Sequence, residues 1–335
     1  MKRILMLGTG GTIASASTAD GLVPQLSTDE ILGAIPSIAR LCHADALQVC
    51  NIDSTNILPS HWLLMEAAIE QNYDRYDGFV VCHGTDTMAY TAAALSYLVQ
   101  DSPKPIVITG SQKPLNTENT DSRTNLYASF TYASSACASG VVIVFDGRVI
   151  PGTRARKVRS KSFDAFMSIN YPELASVRDG RILSYITLPH ADAPRFCRTL
   201  SDRVALLKLI PGTDPEVLDF LLSRSDAVII ESYGVGGLPQ LGNDEYLTRI
   251  NRAAAAGKTI VMTTQVQLEG SDIGVYQVGH ALKSFPNILE AYDMTTEAVV
   301  TKLMWILGQT HDPLTVRQMF YTPVAHDLLS TEVSK

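Results

Sequence analysis

Hydrophobic positions fall into two kinds of run along the chain. Short continuous apolar stretches, rich in β-branched residues, recur at RILMLG (3–8), ALQVCNI (46–52), GFVVCH (78–83), PIVITG (105–110) and GVVIVFD (140–146). Such runs read as strands buried on both faces. Between them, SHWLLMEAAIEQNY (60–73) and TMAYTAAALSYLVQ (87–100) place apolar residues at helical spacing among strong helix formers. TDSRTNLYASFTYASSA (120–136) predicts a third helix, opened by a Thr or Asp cap. Apolar strands alternating with helices imply a mostly parallel sheet covered on both sides.

A second set begins near residue 203. VALLKLI (204–210), AVIIES (227–232) and TIVMTT (259–264) predict strands. DPEVLDFLLSR (214–224), NDEYLTRINRAAAAG (243–257) and TTEAVVTKLMWILGQ (295–309) predict helices. The stretch TLPHADAPRFCRTLSD (187–202) has two prolines and no clear period, which suits a linker. The expected fold is α/β. A larger N-terminal, doubly wound, mostly parallel sheet domain spans 1–186, and a smaller C-terminal α/β domain spans 203–335. A chain of 335 residues exceeds what one core usually organises, which agrees with two domains.

Composition narrows the class. Hydrophobic residues make up 46% and charged residues 18%, enough apolar material for a sizeable core. The formal net charge of −7 argues against a nucleic-acid partner. Five cysteines without CxxC spacing fit neither a disulfide framework nor a Cys-rich zinc site and point to a reducing compartment. No apolar run reaches the roughly 18 residues of a membrane span. The apolar part of MKRILML is too short for a signal peptide, and no small-residue cleavage site follows it. The expectation is a cytoplasmic protein with no metal, cofactor, nucleic-acid or membrane partner.

Two turns carry candidate chemistry. GTGGTIAS (Gly8 to Ser15) follows the first predicted strand. A dinucleotide fingerprint would need glycine where Ile13 stands, and a phosphate loop would need a lysine that the turn lacks. The glycines still permit close backbone approach and expose N–H groups able to hold an oxyanion. Thr12 lies just past the strand's carboxyl end, where open α/β sheets bind ligands. Two roles stay open on these residues alone: Thr9 and Thr12 hydrogen-bond the turn backbone, or Thr12 is a nucleophile. HGTDT repeats the arrangement after the third strand. Thr85, Asp86 and Thr87 stand at a helix N-terminus, where hydroxyls and N–H groups can bind a carboxylate and Asp86 an ammonium. Plain capping by Asp86 or Thr87 is compatible with that role. His83 has no neighbouring ligand spacing for a metal, and it is expected to close the strand and hydrogen-bond the turn.

Together these residues resemble the bacterial-type L-asparaginase family, close to its cytoplasmic type I members. The match rests on TGGTIAS and GFVVCHGTDTMAYTA. DSTN (53–56), VITGSQKPL (107–115), FDGRVIPGTRARKV (145–158), SFDAF (162–166), ESYGVGGLP (231–239) and YDMTTEAVVTKL (292–303) follow in the family's order, so it covers nearly the whole chain.

The resemblance implies hydrolysis of the side-chain amide of L-asparagine to ammonia and L-aspartate. Thr12 would be the nucleophile of a β-aspartyl acyl-enzyme. Thr85 and Asp86 would act with a distant lysine, Lys157, and also contact substrate. Ser54 would bind the α-carboxylate, with Thr55 beside it. A lysine suits this role chemically, because it can act as a base where its surroundings favour the uncharged amine. The resemblance further implies a homodimer or homotetramer whose active site is completed by a neighbour's C-terminal domain. RARKVRSK (154–161) holds five basic residues in eight and reads as a solvated face from which Lys157 turns inward.

One position departs from the family. The loop after the first strand usually carries a tyrosine, and DGLVPQ (20–25) has Leu22 there. The small, polar ASASTADG (14–21) before it still suits a lid. Three rival readings remain. One is a related amidohydrolase with glutaminase or broader activity. A second is the archaeal tRNA-dependent amidotransferase subunit, which carries an extra N-terminal domain that a chain starting at strand one is not expected to have. The third is a non-catalytic amino-acid-binding sensor.

Overall fold

The computed structural model describes residues 1–18, 21–24, 26–187, 192–239, 245–275 and 285–329; the side chains of residues 16–25 lie outside the description. The chain forms two compact units, Met1–Arg198 and Thr199–Lys335.

The first unit is built on an eight-stranded sheet. His43–Ile52, Arg3–Gly10, Gly78–Cys82, Pro105–Thr109 and Gly140–Phe145 lie side by side in that order, all parallel. Arg148–Pro151, Ala175–Arg178 and Arg181–Ser184 extend the sheet with antiparallel pairing. The five predicted strands are all present. Four stand inside the covered sheet, where runs apolar on both faces are satisfied. His43–Ile52 lies at the sheet edge and is largely exposed, contrary to the expected burial on both faces. Ile4, Met6, Val80, Val107 and Val142 pack on one side with Leu126 and Phe130 of the helix Ser122–Ala133. The alternate residues Leu5, Leu7, Phe79 and Val81 are equally buried. The helix Met88–Leu98 also packs on the sheet strands. The helix Pro59–Asn72 packs in turn on Met88–Leu98.

Strand order fixes where a ligand can sit. The chain passes from the first strand to His43–Ile52 on one side, then crosses to Gly78–Cys82 on the other. Connections leaving Arg3–Gly10 and Gly78–Cys82 therefore run in opposite directions. Such a switch point leaves a crevice at the carboxyl ends of the two neighbours, where open α/β sheets bind ligands.

Three local details differ from the sequence reading. The helix predicted over 87–100 stops at Leu98, and Val99–Gln100 becomes a short strand paired with Arg195–Phe196. Part of the 187–202 stretch is thus paired within the first unit, while residues 188–191 lie outside the described residues. Asp121 occupies the N-cap position of Ser122–Ala133 without capping it. Its carboxylate accepts the backbone N–H groups of Gln112 and Lys113, and the Thr120 hydroxyl accepts Ser122 N–H instead. Within the stretch expected as a lid, Ser15–Thr18 and Gly21–Pro24 pair as an antiparallel hairpin with Leu22 opposite Ser17.

The second unit holds a four-stranded parallel sheet: Val204–Lys208, Ala227–Ser232, Thr259–Thr264 and Ile288–Glu290. Its core joins Val228, Ile230, Ile260 and Met262 to Leu218 and Leu222 of the helix Glu216–Arg224 and Ile250 of Glu245–Ala255. The helix Thr296–Leu307 is capped by the Thr295 hydroxyl, which accepts Ala298 N–H. Ile288–Glu290 and the helix Pro313–Tyr321 were not predicted. Among the described residues, no helix is long and apolar enough to cross a membrane.

Candidate active site

The first turn is set by two glycines. Gly10 and Gly11 have φ of 97° and 79°, a region that favours glycine, and Thr12 opens the short 3-10 helix Thr12–Ala14. The turn packs directly on the second one. A Cβ on Gly11 would lie 2.4 Å from Gly84 Cα and N, and a Cβ on Gly84 would lie 2.5 Å from Ser54 Oγ. Three segments therefore meet with no room for a side chain: the turn before Thr12, the turn before Thr85, and Ser54. Ile13 is fully buried and anchors the first turn, while Thr12 beside it stays partly open.

Thr85, Asp86 and Lys157 meet in the second turn. Lys157 comes from the strand Ala155–Lys157, which pairs with Phe166–Ser168. Its Nζ donates to Thr85 Oγ1 at 2.8 Å and to Asp86 Oδ1 at 2.6 Å. The lysine side chain is 17% exposed, whereas the Asp86 side chain is 57% exposed and open to a ligand. Plain capping is not what this turn does. Thr87 occupies the N-cap of Met88–Leu98 without capping it, and its hydroxyl donates to Ser54 O at 2.7 Å. The ligand-facing segments are thereby stitched to one another.

Ser54 and Thr55 separate in character. Ser54 is buried beside Gly84. Thr55 is exposed, and both its N–H and its hydroxyl donate to Asp53 Oδ1 at 2.8 Å. Asp53 thus caps the short 3-10 helix Ser54–Asn56 and presents Ser54 to the crevice.

Two residues beside the site were not assigned to it in the sequence reading. Gln112 Oε1 accepts the Thr85 hydroxyl at 3.2 Å, and its Nε2 donates to Ser162 O at 3.1 Å. Asp121 holds the Gln112 backbone. The sequence signal was positional: the SQ pair follows the fourth strand as Thr12 and Thr85 follow the first and third. His83 does bind its own turn, as expected. Its Nδ1 lies 2.7 Å from Gly84 O, and burial pushes the imidazole down to about 4.

The geometry gathers a threonine hydroxyl, a lysine Nζ and a carboxylate in one hydrogen-bonded cluster beside a glycine turn bearing a second threonine, all at a sheet switch point. Nearly the whole chain matches known proteins. A model of the N-terminal asparaginase domain matches residues 3–189, and one of the C-terminal glutaminase/asparaginase domain matches residues 203–320. The chain belongs to the asparaginase family.

Among family members, the L-asparaginase of Thermococcus kodakarensis is 38% identical over 330 residues, covering 97% of this chain and 99% of that protein. Its solved structure superposes with a TM-score of 0.90 over 98% of this chain and 100% of that one, at 37% identity. L-asparaginase 1 of Escherichia coli is 33% identical over 95% of both chains. A subunit of the glutamyl-tRNA(Gln) amidotransferase of Methanosphaera stadtmanae is 33% identical over 98% of this chain but only 77% of its own length.

Proposed function

We propose that the protein hydrolyses the side-chain amide of L-asparagine, with Thr12 as nucleophile and a β-aspartyl ester as intermediate. The observation that carries this reading is Lys157 Nζ, held between Thr85 Oγ1 and Asp86 Oδ1 and delivered to the second turn from far along the chain. A threonine hydroxyl is a weak nucleophile and needs a partner to remove its proton. Thr85 and Lys157 supply that path, because the turn bearing Thr12 packs on the turn bearing Thr85.

Thr12 Oγ1 attacks the amide carbon, and its proton passes by way of Thr85 to the Lys157 amine. The C–N bond breaks as that proton is returned to the departing nitrogen, and ammonia leaves. Water then attacks the ester, gives its proton along the same path, and L-aspartate departs as Thr12 is reprotonated. In the resting arrangement Lys157 donates into Thr85 and Thr85 donates to Gln112 Oε1. Proton transfer therefore requires the Thr85 hydroxyl to leave that oxygen, which can only accept, and turn its proton toward the Lys157 amine. Thr85 N–H has no acceptor among the described residues and is free to stabilise the oxyanion.

Substrate recognition follows from the charges. The exposed Asp86 carboxylate suits the α-ammonium, and Ser54 Oγ suits the α-carboxylate. A substrate lacking either group leaves a polar partner unmatched. The similarity to L-asparaginases along nearly the full length supports the same assignment. The reading extends to a homodimer or homotetramer, as in the family resemblance; sedimentation of a fully active monomer would remove that part.

Ammonia release from L-asparagine, L-glutamine and D-asparagine tests the function. We expect L-asparagine to be turned over with the highest kcat/KM. Ligand binding without ammonia from any of the three would replace the enzyme by a sensor.

A further inference from the structure

We infer that His83 is a positioning residue, which aims the Thr85 N–H at the oxyanion by holding the Gly84 carbonyl. The inference rests on the asparaginase reading above and adds a group that the mechanism does not otherwise use. His83 is fully buried and is the third member of a four-member chain. Trp62 Nε1 donates to Thr91 Oγ1 at 2.9 Å, Thr91 Oγ1 lies 3.0 Å from His83 Nε2, and His83 Nδ1 lies 2.7 Å from Gly84 O.

Donor and acceptor rules orient every link. An indole N–H can only donate, and a carbonyl can only accept. The Gly84 carbonyl therefore requires a proton on Nδ1. Trp62 already donates into the Thr91 oxygen, which leaves the Thr91 proton for Nε2. The chain is satisfied by one neutral tautomer, and burial of the ring favours that neutral form.

The consequence lies at the next peptide. Among the described residues no peptide bond is cis, so the Gly84 C=O and Thr85 N–H point in opposite directions. Drawing the carbonyl onto the buried imidazole turns the N–H away from it. Neighbours remove the remaining freedom. His83 N–H donates to Thr109 O at 2.8 Å, and a Cβ on Gly110 would lie 2.1 Å from His83 O. Gly84 itself is wedged between Gly11 and Ser54. A donor that meets charge only in the transition state lowers the barrier without tightening ground-state binding.

Three variants and one spectrum test this. His83→Leu removes both ring bonds and should lower kcat for L-asparagine about tenfold, with KM within about twofold. His83→Asn keeps an N–H donor near the Nδ1 position and should restore kcat to within about threefold of wild type. Thr91→Val, remote from substrate, should lower kcat in the same direction by releasing the tautomer. Imidazole 15N spectra of the wild-type protein should show a proton on Nδ1 and none on Nε2. A proton on Nε2 would overturn the inference. So would unchanged kcat in His83→Leu and Thr91→Val, a loss confined to KM, or no rescue by His83→Asn. The spectrum does not depend on turnover, so an inactive wild type would contradict the proposed function while the tautomer still judged His83.

Discussion

At the scale of single residues, Lys157 carries the heaviest demand. Its Nζ bonds both Thr85 Oγ1 and Asp86 Oδ1. Lys157→Met keeps an unbranched side chain only one atom shorter and removes the amine. It should lower kcat about a hundredfold or more, the usual scale for losing a general base, while circular dichroism and the denaturant midpoint stay near wild type. Activity within about threefold of wild type would assign the proton transfer elsewhere. Lys157 was legible only through the family resemblance, because nothing in RARKVRSK distinguishes one cation from its neighbours. The structure supplies the physical reason. Lys157 ends a strand whose alternation puts it on the same side as buried Ala155, and Arg159 pairs with Asp164 at 2.9 Å. Arg154 is fully buried, contrary to the expected solvated face.

At the scale of elements, two turns packed glycine to glycine hold the site together. Gly11 has positive φ and no space for a Cβ. Gly11→Ala should therefore cost about 2–4 kcal/mol, combining the left-handed backbone penalty with a steric clash. Gly33 ends the helix Thr28–Gly33 with open space around it, and Gly33→Ala should be neutral or mildly stabilising. Urea midpoints for the two variants check the contrast; equal effects would mean that the turns are not held by contact. The central strands were readable from sequence because burial on both faces leaves continuous apolar runs such as GFVVC. Ile288–Glu290 was not, since three residues carry no period. The helix Pro313–Tyr321 buries only Val316 and Phe320, too few apolar positions to stand out, although Asp312 and Pro313 do mark its start. Asp121 and Thr87 stand at N-cap positions without capping, for one shared reason. Both side chains bind another segment of the site, and tertiary contacts overrode the local signal.

At the scale of the whole molecule, two buried groups of the first unit oppose each other in pH. Glu66 is 2% exposed, its Oε1 has no partner among the described residues, and burial together with nearby Glu70 raises its carboxyl to about 7 despite Arg198. Its contribution to stability is complete below about 4.5 and is lost as pH rises through 7. His83 is lowered to about 4, so its contribution is complete above about 6.5 and is lost as pH falls toward 4. Each amounts to up to about 3 kcal/mol, with opposite sign. Wild-type stability should be nearly flat between pH 4.5 and 6.5 as far as these two groups decide it. Glu66→Gln should expose the rising His83 limb, and parallel curves for variant and wild type would contradict this balance. The assembled catalytic reading has a more direct test in ammonia release from L-asparagine by Thr12→Ala, purified free of contaminating amidase. A Thr12 nucleophile predicts a loss in kcat of about a thousandfold or more with the fold intact; turnover within about tenfold of wild type would contradict it.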